Sequence, residues 1–371
     1  MVGGFLGAGK TTAILKLAEH LKKQGQTVGL ITNDQGTGLV DTAMDRASEF
    51  PVEEISGGCF CCRFNSLVDA TRKLTETTRP DVFIAEPVGS CTDLMATVTL
   101  PMQQLYGANY KVAPLSVLVD PIRAMRVLGI GDGRQFAPKV TYIYRKQLEE
   151  ANLLVVNKCD LLDVVQMAKL KDALKQNFPR AEVLVISARK GTGMSAWFKR
   201  CLTGELSSTG IMDVDYITYG VGEAMLGWLN ALVRVKSAAP LDGNKLLRQV
   251  AETLRAKLAA APAEVAHLKM TLSPTGDPLD IAVINLVRTD ATPEMSFQLA
   301  DHITDGELTV NLRAEASPAV LEKAVRAAAA EIGRNISGTL TVTTLASFKP
   351  GQPNPTHRVD AAGVEHRPVL P

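Results

Sequence analysis

The spacing of apolar positions divides the chain into two patterns. Up to about residue 205, short continuous apolar runs alternate with stretches of helical period. Thr11 to Gln24 predicts a helix, with Ile14, Leu15, Leu17, Ala18 and Leu21 on one side and Gly25 to end it. Val28 to Thr32 predicts a strand, Leu67 to Thr78 a second helix, and the run from Asp81 to Glu86 a second strand. Further strands are expected at Ser116 to Asp120, Leu153 to Val156 and Val183 to Ala188, while residues 121 to 145 show no clear period. Unbroken apolar runs between helices describe parallel strands buried on both faces, so the first expectation is an α/β domain over residues 1–205.

Beyond Ser207-Ser208-Thr209-Gly210 the pattern changes. Gly227 to Lys236, Val265 to Leu272, Ile281 to Val287, Leu308 to Leu312 and Leu340 to Leu345 read as strands, several with alternating polarity. Asn244 to Ala260 and Pro318 to Ile332 read as amphipathic helices, the first with a stripe of Leu247, Val250, Leu254 and Leu258. This predicts a smaller α+β domain over 211–346. Its histidines are scattered and form no constellation. Lys349 to Pro371 has repeated prolines and few large apolar residues, and is expected to be a flexible tail.

Composition narrows the class. With 46% hydrophobic and 21% charged residues the chain is globular, and a formal net charge of +1 gives no basic footprint for nucleic acid. No apolar run is long enough to span a bilayer, and the chain opens without a charged-then-apolar leader, so a cytoplasmic location without membrane partners is expected. Of the six cysteines, at 59, 61, 62, 91, 159 and 201, three crowd into four positions. In a reducing compartment that crowding points to metal or redox chemistry.

The candidate chemistry begins at once. Gly4, Gly9, Lys10 and Thr11 fit the G-x-x-x-x-G-K-[ST] template of a phosphate-binding loop. Backbone N–H groups of Gly7, Ala8, Gly9, Lys10, Thr11 and Thr12 would converge on phosphates, Lys10 would reach the β- and γ-phosphates, and the Thr11 hydroxyl would ligate Mg²⁺. Such a loop normally follows a buried strand, yet only Met1 and Val2 precede Gly3. Either the start is trimmed or misassigned, or the central strand is a stub.

Two later segments fall where a parallel sheet binds ligands, past strand C-termini. Asn33 to Asp41 is a polar, Gly-containing loop that reads as a nucleotide-sensing switch through Asp34, or as a solvated turn. Glu86-Pro87-Val88-Gly89 ends the next strand: Glu86 would act on Mg²⁺ or the attacking water and the Gly89 N–H would sense the γ-phosphate, or the strand simply ends in a solvated acid. Asn157-Lys158-Cys159-Asp160 suits guanine, because the Asp160 carboxylate accepts from both N1–H and the 2-amino group, the Lys158 stem covers the ring and Asn157 braces the loop. Ser187 and Ala188 are placed to set a backbone N–H against the guanine carbonyl.

Between the two switch segments lies Gly57-Gly58-Cys59-Phe60-Cys61-Cys62. Thiolates two and three residues apart close readily on one soft or borderline cation, which makes metal binding by Cys59, Cys61 and Cys62 the preferred reading over a redox pair or inert thiols. Cys91 is read as a small buried apolar residue, with a fourth thiolate as the alternative.

The ordered set G-F-L-G-A-G-K-T-T, N-D-Q-G-T-G-L-V-D, G-G-C-F-C-C, E-P-V-G and N-K-C-D resembles the CobW-type family of P-loop GTPases, regarded as metal chaperones or metal-insertion proteins. The resemblance covers roughly residues 1 to 205. It implies a parallel-sheet P-loop GTPase domain related to the nickel-insertion GTPases, with Zn²⁺, Co²⁺ or a similar ion on the three cysteines and an α+β C-terminal domain. The chain departs from the family at Asn33-Asp34, where Asn-Glu is usual, at Thr37, often acidic, and in lacking a His-rich segment.

The function expected is that of a GTP-binding, slowly hydrolysing metallochaperone with GTP and GDP as ligands, Mg²⁺ as cofactor and a client metalloprotein as partner. A homodimer is its oligomeric option. Two other readings stand beside it: a signalling or assembly GTPase with a structural zinc knot, and an accessory factor for a corrinoid enzyme.

Overall fold

The computed structural model describes residues 1–34, 50–207, 210–277, 280–336, 338–360 and 362–366, with the backbone alone at 34, 365 and 366. The chain folds as two compact units. One holds residues 1–34, 50–222 and the described residues from 352 on; the other holds 223–351.

The first unit opens with β1 (Val2–Gly4), a strand of three buried residues. A strand is therefore present ahead of the phosphate loop. It pairs in parallel with β5 (Ser116–Val119), Val2 opposite Ser116 and Gly4 opposite Leu118. Helix α1 (Lys10–Lys23) follows the phosphate loop and buries Ala13, Ile14, Leu17, Ala18 and Leu21, four of them from the predicted stripe. Then come β2 (Val28–Asp34), β3 (Val52–Ser56), α2 (Phe64–Thr77) and β4 (Val82–Glu86). Strands β3, β2 and β4, in that order, form one parallel sheet. Strands β1 and β5, with β6 (Leu153–Val156) and β7 (Glu182–Val185), form another. One apolar core, with Leu30, Ile84, Leu118, Val155 and Trp197 among its members, spans both sheets.

Several helices escaped the hydrophobic period. A π-helical turn, Met95–Thr99, runs into α3 (Leu100–Tyr106). The unpatterned segment from 121 holds α4 (Pro121–Val127) and α5 (Pro138–Glu149). Each starts on a proline, whose fixed φ suits the first helical turn, and Asp120 caps α4 by accepting the Arg123 N–H at 3.0 Å. The unit is completed by α6 (Val164–Asn177), opened by an Asp163/Gln166 capping box, and α7 (Met194–Thr203). Helix α8 (Tyr216–Met225) follows.

The second unit is an α+β arrangement. Strands β8 (Leu226–Leu241), β9 (Glu264–Pro274), β10 (Ala282–Leu286), β11 (Glu294–Phe297), β12 (Ile303–Glu315) and β13 (Gly338–Phe348) make an antiparallel sheet in the order β11-β10-β9-β12-β8-β13. Helices α9 (Gly243–Ala260) and α10 (Pro318–Asn335) share its core, and the predicted stripe of Leu247, Val250, Leu254 and Leu258 is buried there. Short β11 was missed because Glu294–Phe297 carries only two apolar residues.

The last segment is ordered differently from a tail. Pro353, Pro355 and Val359 are buried, β14 (Arg358–Val359) pairs with β15 (Glu365–His366), and the segment joins the first unit. Its prolines rigidify an extended path whose partners lie far back in the chain. Among the described residues no helix is long and apolar enough to cross a membrane.

Candidate nucleotide and metal sites

The loop between β1 and α1 is shaped by glycine. Gly9 has φ 90°, and a Cβ there would run into the Asn157 side-chain amide. Lys10 is buried, with Nζ 3.9 Å from Glu86 Oε1, and the Thr11 hydroxyl donates to the same oxygen at 3.2 Å. Thr11 and Glu86, placed by α1 and β4, are thus two hard oxygen donors side by side, a set suited to Mg²⁺. Gly89 lies against Leu6 of the phosphate loop, where a Cβ would come within 2.8 Å of the leucine side chain. The predicted Lys10, Thr11, Glu86 and Gly89 therefore meet at one loop. Thr12 is exposed. The Asp34 side chain and the loop from Gln35 to Asp41 lie outside the described residues.

The residues expected from sequence to recognise the base knit to the same loop. Asn157 donates through Nδ2 to the Ala8 carbonyl and accepts the Ala188 N–H at Oδ1, both at 2.9 Å. Lys158, held at φ 54°, donates from Nζ to the Gly7 carbonyl at 2.6 Å and to Asp120 Oδ2 at 2.8 Å. Asp160 is exposed, 3.5 Å from Lys190 Nζ. Partial burial raises its pKa, but a hydrogen bond from Ser187, its own backbone N–H and Lys190 outweigh this and hold it below the usual carboxylate value. It is a charged acceptor open to solvent.

The cysteines follow β3. Gly57, at φ 77°, and Gly58 turn the chain, and the Cys62 and Arg63 N–H groups both donate to the Cys59 carbonyl, at 3.1 and 2.9 Å. The turn gathers three sulfurs, with Sγ separations of 2.7 Å (59 to 61), 3.3 Å (59 to 62) and 3.7 Å (61 to 62). On a tetrahedral ion with Zn–S bonds of about 2.3 Å, sulfurs stand about 3.8 Å apart. One separation fits as it stands and the closest must open by about 1 Å, a small movement for side chains on one turn. Hydrogen bonds from Cys61, Cys62 and Cys91 pull the Cys59 thiol well below its ordinary pKa. The same sharing, with Cys59 as the leading partner, pushes Cys61 well above its ordinary value and Cys62 to about 12. One proton leaves this cluster easily; the rest need a cation to replace them.

Residues 1–185 match the family described as CobW/HypB/UreG, nucleotide-binding domain. The chain belongs to the CobW-type family of P-loop GTPases. Similar curated proteins are the zinc chaperone CobW of Sinorhizobium sp, 27% identical over 52% of this chain and 58% of that protein, and the zinc chaperone YeiR of Escherichia coli, 28% identical over 43% and 46%. A third, zinc-regulated GTPase metalloprotein activator 1 of Dictyostelium discoideum, is 25% identical over 50% of this chain and 44% of its own length. The chain spans about half the length of the curated relatives it matches.

Four features of this CobW-type domain go beyond the site residues read from sequence, where Cys91 stood only as an alternative fourth thiolate. Asp120 is buried beneath Lys158, and Arg123 lies 5.4 Å from the Phe5 ring centroid and 4.6 Å from that of Phe136. Neither belongs to a recognisable motif, although an Asp-Pro pair at a strand end is a usable helix-start signal. Asn33, at the end of β2, donates to the Ile55 carbonyl at 2.9 Å and the Gly58 carbonyl at 2.7 Å, tying the end of a switch strand to the cysteine turn. Cys91 is buried, as expected of an apolar residue, yet it also hydrogen-bonds with the Cys59 and Cys61 thiols.

The fourth is the segment after 352, which crosses the cysteine turn of the CobW-type domain. The Asn354 N–H donates to Cys62 Sγ at 3.2 Å, the Thr356 N–H to the Cys61 carbonyl at 2.8 Å, and the Thr356 hydroxyl to the Cys62 carbonyl at 3.2 Å. His357 packs edge-on against Phe64, ring centroids 4.6 Å apart. Arg358 closes the strap by donating to buried Asp93 at 2.8 Å and to the Met212 carbonyl at 2.8 Å.

Proposed function

We propose that this chain is a GTP-binding, slowly hydrolysing metallochaperone that takes up a transition metal, zinc before cobalt, on Cys59, Cys61 and Cys62 and hands it to a client metalloprotein. Zinc comes first because two similar proteins carry the name zinc chaperone. The observation that carries the reading is the sharing of elements between the two sites. Strand β2 ends in Asn33, which holds the cysteine turn, and the loop after β4 runs from Glu86, in contact with Thr11, through Gly89 to Cys91, in contact with the thiols.

In this reading Lys10 and the backbone N–H groups from Gly7 to Thr12 hold the phosphates and Asp160 reads guanine. Thr11 and Glu86 are the residues that would hold Mg²⁺, whose charge offsets that of the phosphates. Nucleotide exchange then changes the loops that fix the cysteines. Because coupling of two ligands is reciprocal, metal must tighten GTP binding by the factor that GTP tightens metal.

The test is titration of Co²⁺ and Zn²⁺ into the full chain with GTP, GDP or no nucleotide, read by thiolate charge-transfer absorption, with Cys61→Ala as control. Metal affinity is expected to differ by roughly 5–150-fold between nucleotide states and to collapse in the variant. Tight metal binding that ignores the nucleotide overturns the carrier reading. The burial of Cys59 and Cys61 supports one competitor, a GTPase with a structural zinc knot, and a metal that leaves only on unfolding would select it.

A further inference from the structure

We infer that the cargo ion is held by four thiolates, the fourth being Cys91 from the loop after β4. This rests on the metal-carrier reading of the cysteine turn and adds to it a ligand outside that turn.

Three cysteines on one turn supply three corners of a tetrahedron. The three sulfurs of the turn lie within 4.8 Å of one another. Cys91 comes from a different segment, is buried beside them and shares hydrogen bonds with the Cys59 and Cys61 thiols, so it has only to close on an ion seated on the turn. The other two cysteines are engaged elsewhere: Cys201 faces the Ser116 hydroxyl at 3.6 Å, and Cys159 belongs to the guanine-recognition segment.

The backbone around Cys91 is built to hold it there. Its N–H closes a turn on the Val88 carbonyl at 3.0 Å, and its carbonyl accepts from Gln147 Nε2 at 2.7 Å; the same amide reaches the Gly89 carbonyl at 3.0 Å. The Thr92 N–H donates to the Tyr219 hydroxyl at 3.1 Å, and the Met95 N–H to Glu150 at 2.9 Å. Asp93, at φ 64°, is fixed by Tyr216 and Arg358. A segment pinned on both sides keeps its side chain in one place, as a preorganised ligand requires.

Each ligating thiol gives its proton to solvent as the metal–sulfur bond forms, so a divalent ion on four thiolates carries a net charge of −2. Backbone donors already face that charge: the Cys62 N–H points to Cys59 and the Asn354 N–H to Cys62. Cys91 stands two residues beyond Gly89, so the ion itself would cross-link the cysteine turn to the segment proposed to sense the γ-phosphate.

X-ray absorption of the zinc-loaded full chain decides the point, with Co²⁺ absorption as a second readout. Four sulfur neighbours at about 2.3 Å are expected in the wild type, and three with one lighter atom in Cys91→Ser. The Co²⁺ charge-transfer intensity should fall by about a quarter, as it should in Cys62→Ser, and zinc affinity should drop at least ~100-fold. Three sulfurs and one light neighbour in the wild type, unchanged in Cys91→Ser, overturn the inference and leave the three-cysteine carrier standing. A wild type that takes up no metal overturns both. Because the wild-type sulfur count is decisive, a Cys91→Ser chain that fails to fold does not protect the idea.

Discussion

The phosphate loop and the cysteine turn are both glycine-shaped turns past strands of a parallel sheet, but they are completed in different ways. The side chains that hydrogen-bond to the phosphate loop come from segments with their own motifs: Glu86 from E-P-V-G, Asn157 and Lys158 from N-K-C-D. The cysteine turn is completed by Asn33, which opens N-D-Q-G, but also by Cys91 and the strap at Asn354 to Arg358, which belong to no quoted motif. A nucleotide is a fixed shape, so its site recurs as a spacing. A small ion imposes little on the chain beyond its first ligands, and the surroundings are left to each fold.

The comparison implies that the two sites can be damaged separately, and the largest effect should be at the phosphate loop. Lys10→Ala removes the buried ammonium beside Glu86 and should weaken GTP at least ~100-fold, about 2.7 kcal/mol, in a fluorescent-nucleotide titration. Zinc uptake measured without nucleotide should remain. If it is lost as well, the two loops are one site and the contrast fails.

An intermediate effect is expected at the strap. Arg358→Met takes the guanidinium from buried Asp93 and from the Met212 carbonyl. Burial already raises the Asp93 pKa, with Arg358 opposing it, so the orphaned acid will take up a proton and limit the loss. A destabilisation of about 2–3 kcal/mol in chemical denaturation follows, below the upper range for a broken buried pair. Cys62 should react faster with a thiol reagent while GTP affinity stays the same.

Glu150→Gln tests the scaffold beneath Cys91 with the smallest effect. Burial raises the Glu150 pKa well above 4.5, against hydrogen bonds from Met95, Leu94 and Thr92. The folded chain therefore holds this proton longer than the unfolded chain, and wild-type stability drops as pH climbs from about 4.5 through the raised value. Glutamine keeps an acceptor for the Met95 N–H and carries no charge. The variant should match the wild type near pH 4 and melt higher by about 2–4 °C at pH 8, in thermal scans at both pH values.

Much of this was legible in the sequence, for identifiable reasons. Leu153–Val156 and Val117–Val119 are unbroken apolar runs because both faces of each strand are covered, and the cysteines and the phosphate loop are local in sequence. Helices α4 and α5 were hidden because their starts are set by Pro121, Pro138 and the Asp120 cap, while polar and charged residues blur their period. The strap was read as a tail because prolines and sparse apolar residues ordinarily leave a segment without partners. Here a few buried contacts and the bonds to Cys61, Cys62 and Asp93 hold it, and those partners lie more than 250 positions away.

The pairing of β1 has a mechanical consequence. Among the described residues its ladder runs only to β5, so the parallel strands fall into two hydrogen-bonded halves with a seam beside β1. The cysteine turn, Asn33 and Cys91 hang from the half made of β3, β2 and β4; the phosphate loop and the N-K-C-D segment hang from the other. The contacts of Glu86 with Thr11 and Lys10 cross that seam through side chains alone. Side-chain contacts yield more readily than a backbone ladder, and the apolar core that continues across the seam is what otherwise joins the halves. A nucleotide seated against Lys10 and Thr11 on one side and Glu86 and Gly89 on the other would act as a bolt across it.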